Sequence, residues 1–464
     1  MNEEIDLIIR DGRVINSDWS AHADVMVSGS RVVAVTEPAH PVSSVGRPRE
    51  IQASGKWVLP GGVDPHCHVG FTSGEFTSLD DYRQATTAAL FGGTTTIVDF
   101  AIPRPGETPA QATARQREKA SFGLCDSALH GCVVSWDSTI PEQLAAMVSD
   151  GVVTVKMFTT YRGETMANED TILKVMKVLA PLGGMVVIHC EANHVIEESQ
   201  RMSAARNAID AAHLPETRPE LAEDASVAEI LAIAESVGAP VYFVHQSTPQ
   251  AVDLVRSARA RGVRAWSESV THHLVLDASA YGGPYPERYV CCPPLRSLET
   301  VAGLRQRVIM GQVDTVGSDH CCYDVHQKEA HAHDVRSMPN GLPGVETRLP
   351  VIFSEFVTTQ LISPERFVQI TSTNPARLNG LYPQKGVIAP GSDADIIIVN
   401  PDAETILHSS GLHMATDYTP YEGLEMRGEI ETVIVRGQPV IESGTLVEAE
   451  QRGVALRGKR LFTR

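Results

Sequence analysis

His66 and His68 stand two residues apart at the end of the apolar run GKWVLPGGVDPH, shortly after Pro60-Gly61-Gly62. Positions i and i+2 of a strand face the same side, so both imidazoles can address one ion. An HxH pair alone is a weak signal, because two core or surface histidines look the same. Its fellows along the chain strengthen it. His189 ends GGMVVIH, His245 ends APVYFVH and Asp319 ends VDTVGSD. One polar residue closing an apolar run is ordinarily a satisfied strand-end group. Repetition at successive runs points to a shared centre. Three or four histidines with a carboxylate suit Zn²⁺ or a similar divalent ion.

Lys156 lies inside GVVTVKMF, which reads as a strand buried on both faces. A lysine is almost never fully buried without a partner. Either it snorkels at the strand end, or its neutral amine has reacted with carbon dioxide to give a carbamate. Two carbamate oxygens can bridge two metals. Charge favours the carbamate: two divalent ions are offset by about one negative charge each from Asp319, the carbamate and a bridging hydroxide, whereas an ammonium would be repelled.

These residues need a scaffold that brings several strand ends together. The middle of the chain supplies one. Eight short apolar runs recur there: GKWVLPGGVDPH, TTTIVDF, SALHGCVVS, GVVTVKMF, GGMVVIHC, APVYFVH, GVRAWSES and VDTVGSD. Between them, segments such as LDDYRQATTAALFGG and ASVAEILAIAESVG carry apolar residues at three- and four-residue spacing. In the second, Ser226 and Glu229 form a capping-box pattern. Strands alternating with helices predict an α/β fold, a parallel (β/α)8 TIM-like barrel, over residues 57–386. An open doubly wound sheet is the alternative, but no glycine-rich dinucleotide fingerprint follows the first strand. Barrel enzymes carry their chemistry at the carboxyl ends of the strands, where the ligand-type residues stand.

Both chain ends have a different character. Residues 1–56 read as short strands, with DLIIRDGRV and ADVMVSGSRVVAV set around Asp-Gly and Ser-Gly turns. From 387 to 464, DADIIIVN and ETVIVRGQPVIESG do the same before a basic tail. A single small β-sandwich built from both ends is predicted.

Composition narrows the class. With 39 Lys+Arg against 57 Asp+Glu the formal charge is -18, which opposes a nucleic-acid footprint. No apolar run reaches the roughly 18 residues that span a bilayer, so no membrane partner is expected. The acidic start MNEEID is unlike a secretion signal, and a cytoplasmic location is expected. Eight cysteines without a CxxC pair read as reduced thiols. Those beside the ligand-type residues, Cys67, Cys190, Cys321 and Cys322, read as small buried apolar residues. His320 would alternate away from an ion and support it indirectly. His272, His273, His331 and His333 read as loop residues without a role.

The whole set resembles the binuclear amidohydrolase superfamily, and within it the dihydropyrimidinase and hydantoinase group. The likeness rests on His66-x-His68, Lys156, His189, His245 and Asp319, and on PGGVDPHCH, FGGTTTIVDF, VKMFTTYRG, IHCEAN, VHQST, CCPPLR, GSDHC, NGLPGVETRLP and GSDADIIIVNP. It covers nearly the whole chain. It implies that His66, His68 and Asp319 hold one ion, that His189 and His245 hold a second, and that carboxylated Lys156 bridges them, with zinc the leading metal. It implies that Tyr161 hydrogen-bonds the substrate carbonyl. Cys292, where relatives usually carry serine, and Asn340 would contact the ring through main chain.

The implied reaction is hydrolytic opening of cyclic amides or ureides, hydantoins or 5,6-dihydropyrimidines, to N-carbamoyl amino acids. Asp319 would serve as base and then acid. Allantoinase, dihydroorotase and a dead-site scaffold are the alternatives. Dihydroorotases carry an arginine two residues after the second histidine, where this chain has Gly70, so a neutral ring is expected. Arg104 and Arg162 qualify this, since both lie in site-facing loops. Phe71, Phe76, Ile102 and Thr160 are candidates for the pocket around the ring substituent. A homotetramer is implied by the same resemblance, in which carboxyl tails reach a neighbour; here the tail interleaves Val454, Leu456, Leu461 and Phe462 with basic residues.

Overall fold

Strands that are buried on both faces have no solvent side to keep polar, so they read as unbroken apolar runs. The middle of the chain folds in this way. The computed structural model describes residues 4–40, 47–447 and 453–462. Its central sheet has eight parallel strands: β1 Gly62–Cys67, β2 Thr94–Phe100, β3 Asp126–Cys132, β4 Thr154–Phe158, β5 Met185–His189, β6 Val241–Phe243, β7 Ala265–Val270 and β8 Thr315–Gly317. Each pairs with the next in sequence order. The ring closes where Cys67 bridges His320, and where Ser318 bonds Asp64 and the carbonyl of His66. This is the predicted (β/α)8 barrel, with helices on its outside.

Local chemistry sets the helices. Tyr82–Phe91 begins at a capping box of Asp81 with Gln84, and Pro109–Ala120 begins at one of Thr108 with Gln111. One sequence expectation fails. Glu220–Val237 starts six residues before Ser226, at Pro219, with no side-chain cap. Ser226 is buried inside the helix and gives its hydroxyl to Thr159, so tertiary contact overrode the local capping signal.

Both ends meet in one separate nine-stranded sheet. Trp57–Pro60 joins them, running parallel to Leu7–Ile15 and antiparallel to Ile396–Ile406, with Leu59 opposite Ile397. The apolar run GKWVLPGGVDPH is therefore two strands, the first in the end sheet and the second in the barrel. Lys385 ties the two units together. Its buried Nζ lies 2.5 Å from Asp126 at the start of β3, and 3.0 and 2.6 Å from Asp393 and Asp395 beside the end sheet. The described part of the carboxyl tail crosses the amino-terminal face of the barrel. Val454 and Leu456 bond the backbone of Ser127, Gly458 bonds Gly151, and Leu461 bonds Gly183. Phe462 stacks on Trp266. Arg452 and Arg464 lie outside the described residues. Among the described residues no helix is long and apolar enough to cross a membrane.

Candidate metal centre and catalytic pocket

All the predicted ligand residues arrive at one end of the barrel. His66 lies in β1 and His68 just beyond it; Lys156 is in β4, and His189 ends β5. His245 and Asp319 each stand two residues past the ends of β6 and β8. Three site residues hold left-handed backbone that side chains disfavour: Tyr161 at φ 67°, His245 at 37° and Asp319 at 50°. Such strain persists only where the surroundings over-determine it, and it collects at functional sites.

Donor atoms converge. The Nε2 atoms of His66 and His68 are 3.3 Å apart, and Asp319 Oδ1 is 2.9 Å from the first and 3.2 Å from the second. Rings of His189 and His245 lie 4.5 Å apart, and His245 is 5.3 Å from His66. Lys156 is 1% exposed, with Nζ 4.4 Å from the centre of the Phe100 ring and 5.0 Å from that of Phe158. No carboxylate lies within 4.0 Å of it among the described residues. Burial lowers its pKa to about 8. That brings the neutral amine, the form that can take up carbon dioxide, within reach of neutral pH.

Protonation marks where positive charge is wanted. Burial alone would lower the His66 imidazole, but Asp319 and Glu268 outweigh it and raise it to about 9. Burial lowers His68 to about 4 and His245 well below its ordinary range. Burial would raise the Asp319 carboxyl, yet His66 and His68 hold it well below the usual carboxylate range. Two imidazoles and a carboxylate with donor atoms this close can take a cation in place of that proton. The donor set, histidine nitrogen with carboxylate oxygen, suits a divalent ion of the zinc type.

Partners outside the cluster orient the ligands, and sequence patterning missed them. Glu268 on β7 holds His66 Nδ1 at 2.7 Å, which turns Nε2 toward the centre. The same carboxylate accepts from Tyr242 at 2.5 Å and from the His245 N–H at 3.0 Å. Glu191 lies 2.7 Å from His189 Nε2, and Arg218 holds Glu191 in turn at 2.5 Å. One signal was available for each: a carboxylate inside or beside a buried run, in AWSES and in IHCEA. His320 bonds Asp80 at 2.8 Å and accepts from the Gly344 N–H. His272 and His273 were expected in a loop; they are buried on the helix Thr271–Val275.

A cavity of about 100 Å³ opens above the donors, lined by His68, Phe71, Ile102, Lys156, Tyr161, Cys292, Asp319, Cys321 and Asn340 among others. A wider outer chamber of about 420 Å³ adjoins it and includes Phe76, Thr160, Arg162 and Glu164. Thus Tyr161, Cys292 and Asn340 all face the donor cluster, and Cys292 Sγ donates to Asn340 Oδ1 at 3.1 Å. Of the substituent candidates, Phe71 and Ile102 reach the inner cavity, while Phe76 and Thr160 line the outer one. Arg162 is exposed and paired with Glu197 at 2.8 Å. Arg104 is exposed and lines neither cavity. All eight cysteines are buried and unpaired.

Known proteins resemble this chain over its length. A model of the Amidohydrolase family matches residues 57–440. A D-hydantoinase of Ralstonia pickettii is 34% identical over 460 residues, covering 98% of this chain and 99% of its own. A D-phenylhydantoinase of Escherichia coli O81 is 33% identical over 457 residues, covering 98% of each. The crystal structure of dihydropyrimidinase from Brevibacillus agri NCHU1002 superposes with a TM-score of 0.95 at 34% identity, covering 98% of this chain and 99% of that one.

Proposed function

The chain belongs to the amidohydrolase family, and from that premise we propose that it opens cyclic amides and ureides by hydrolysis, converting hydantoins or 5,6-dihydropyrimidines to N-carbamoyl amino acids. The observation that carries this reading is the full-length kinship to hydantoinases, joined to a histidine–carboxylate cluster at the carboxyl ends of the barrel strands.

In this reading His66, His68 and Asp319 would hold one divalent ion and His189 and His245 a second, with carboxylated Lys156 as the ligand common to both. Zinc is the proposed metal. When bound, the pair supplies a water acidified to near neutral pH and a Lewis acid for the ring carbonyl. Asp319 takes the proton from the attacking water and hands it to the departing ring nitrogen, base first and acid second. Tyr161 donates its hydroxyl to the carbonyl oxygen as negative charge develops there. Burial pushes that phenol well above its ordinary pKa, which keeps the proton available for donation. Cys292 and Asn340 orient the ring through main chain. Phe71 and Ile102 exclude water beside it.

A neutral ring is favoured because Gly70 stands where an arginine would pair with a substrate carboxylate. The test is a panel of hydantoin, 5-phenylhydantoin, dihydrouracil, allantoin and dihydroorotate. Losing one charged pair costs roughly 2–5 kcal/mol, so kcat/KM for hydantoin or dihydrouracil is expected to exceed that for dihydroorotate by about 30-fold or more. A ratio near one would move the chain toward dihydroorotase. Inertness toward every ring in metal-replete protein would leave the scaffold reading. We further propose a homotetramer, and a cytoplasmic location supported by the eight unpaired thiols.

A further inference from the structure

Lys328 sits on the short helix Val325–Glu329 with its side chain wholly buried. Its ammonium has three N–H donors, and each has a carbonyl. Nζ is 2.8 Å from Val290 O, 3.0 Å from Pro339 O and 2.6 Å from Gly341 O. No carboxylate lies within 4.0 Å of it among the described residues. Burial lowers its pKa to about 8, which leaves the ammonium the majority form at pH 7.

The three carbonyls belong to two segments far apart in the chain. One runs through Cys292 and the other through Asn340 and Gly341, and all three residues line the inner cavity. The segments also bond each other directly, Gly341 N–H to Val290 O at 3.1 Å and Cys292 Sγ to Asn340 Oδ1 at 3.1 Å. In a trans peptide the carbonyl and the N–H point opposite ways across one conjugated plane. An ammonium on Pro339 O therefore draws charge from the Asn340 N–H, and hydrogen bonds in series strengthen one another. The same holds for Val290 O and the Cys291 N–H. A buried cation whose hydrogen bonds all go to main-chain carbonyls flanking the cavity, with the Tyr323 ring 5.5 Å away, does more than fill space.

We propose that Lys328 is a positioning residue for ring opening: its ammonium locks the Cys292 and Asn340 segments into one frame and sharpens the Asn340 N–H as a donor to the ring. This rests on the ring-opening reading above. The test compares wild type with Lys328→Met, which fills the space without donors, and Lys328→Gln, which keeps an amide donor, using hydantoin as substrate. KM is expected to rise about tenfold or more in Lys328→Met and by less in Lys328→Gln. Loss in kcat should be smaller than the rise in KM, and metal content per chain should match wild type. A merely structural role would lower the melting temperature and leave KM alone. KM within twofold of wild type in both variants overturns the inference, as does a loss confined to kcat. If Lys328→Met does not fold, Lys328→Gln decides by the same comparison. Wild-type protein that is metal-replete yet inert on every ring would sink the ring-opening reading itself, and this inference with it.

Discussion

At the scale of single residues, Lys156 carries the strongest consequence. It is a basic side chain in a buried strand, 4.4 Å from the centre of the Phe100 ring and without a carboxylate within 4.0 Å among the described residues. An ammonium there would oppose the two cations proposed for this site, whereas a carbamate would hold them. Lys156→Ala is expected to abolish hydrolysis and to release at least one metal per chain, measured by elemental analysis. Adding a short carboxylic acid should restore part of both by supplying the missing bridge. Electron density at residue 156 tests the carbamate directly. A plain ammonium in a fully metallated, active crystal would contradict it.

At the scale of elements, β7 works as a keystone. It carries none of the proposed ligands, yet Glu268 reaches from it to His66 on β1, to the His245 backbone beyond β6, and to Tyr242 within β6. One carboxylate thus fixes the ring of one proposed ligand and the backbone of another. Glu268→Gln keeps the shape and removes the charge. Losing such a partner typically costs a metal site about 10–100-fold in affinity. A chelator competition assay is expected to show a loss in that range, with the fold retained by circular dichroism. Unchanged affinity would mean that the His66 ring is held by packing alone. The left-handed backbone at Tyr161, His245 and Asp319 belongs to this scale too, because strand ends and the loops that leave them must bend sharply to aim side chains inward.

At the scale of the whole molecule, Lys385 and the tail join what the chain order separates. Removing the cation from a buried cluster typically costs about 3–5 kcal/mol. Lys385→Met leaves Asp126, Asp393 and Asp395 without it, so a loss of that order is expected in urea unfolding at pH 7. The sign with pH follows. Burial already raises the Asp395 carboxyl and Lys385 opposes that, so without the cation the folded chain binds more protons at Asp395 than the unfolded one. Stability then rises as pH falls, and the deficit is expected to shrink between pH 7 and 5. For assembly, light scattering is expected to give four chains per particle; a monomer at micromolar concentration would refute the tetramer. The described tail covers its own barrel's amino-terminal face, so any contact it makes with a neighbour must use what that packing leaves exposed.

Much of this was legible in the sequence because it depends on local periodicity. Residues that close buried strands must be polar for a reason, and in a parallel barrel all such ends lie on one face. His66, His68, His189, His245 and Asp319 could therefore be placed together from the sequence, while Lys156 stood out as a charge inside a buried strand. The end sheet was legible for a similar reason, since short alternating strands at both termini lack partners unless they pair with each other. Strand Trp57–Pro60 was harder: nothing local divides WVLP from GVDPHC, and only pairing with Leu7–Ile15 and Ile396–Ile406 assigns it to the end sheet. The Ser226 cap failed because a capping pattern inside a longer helix costs nothing when burial rewards the extension. Glu268 with His66, Arg218 with Glu191, and Lys328 with three carbonyls were out of reach. Each joins groups from 11 to 202 residues apart. A buried charge is stable only where the closed fold delivers its partner, and no pattern along the chain carries that distance.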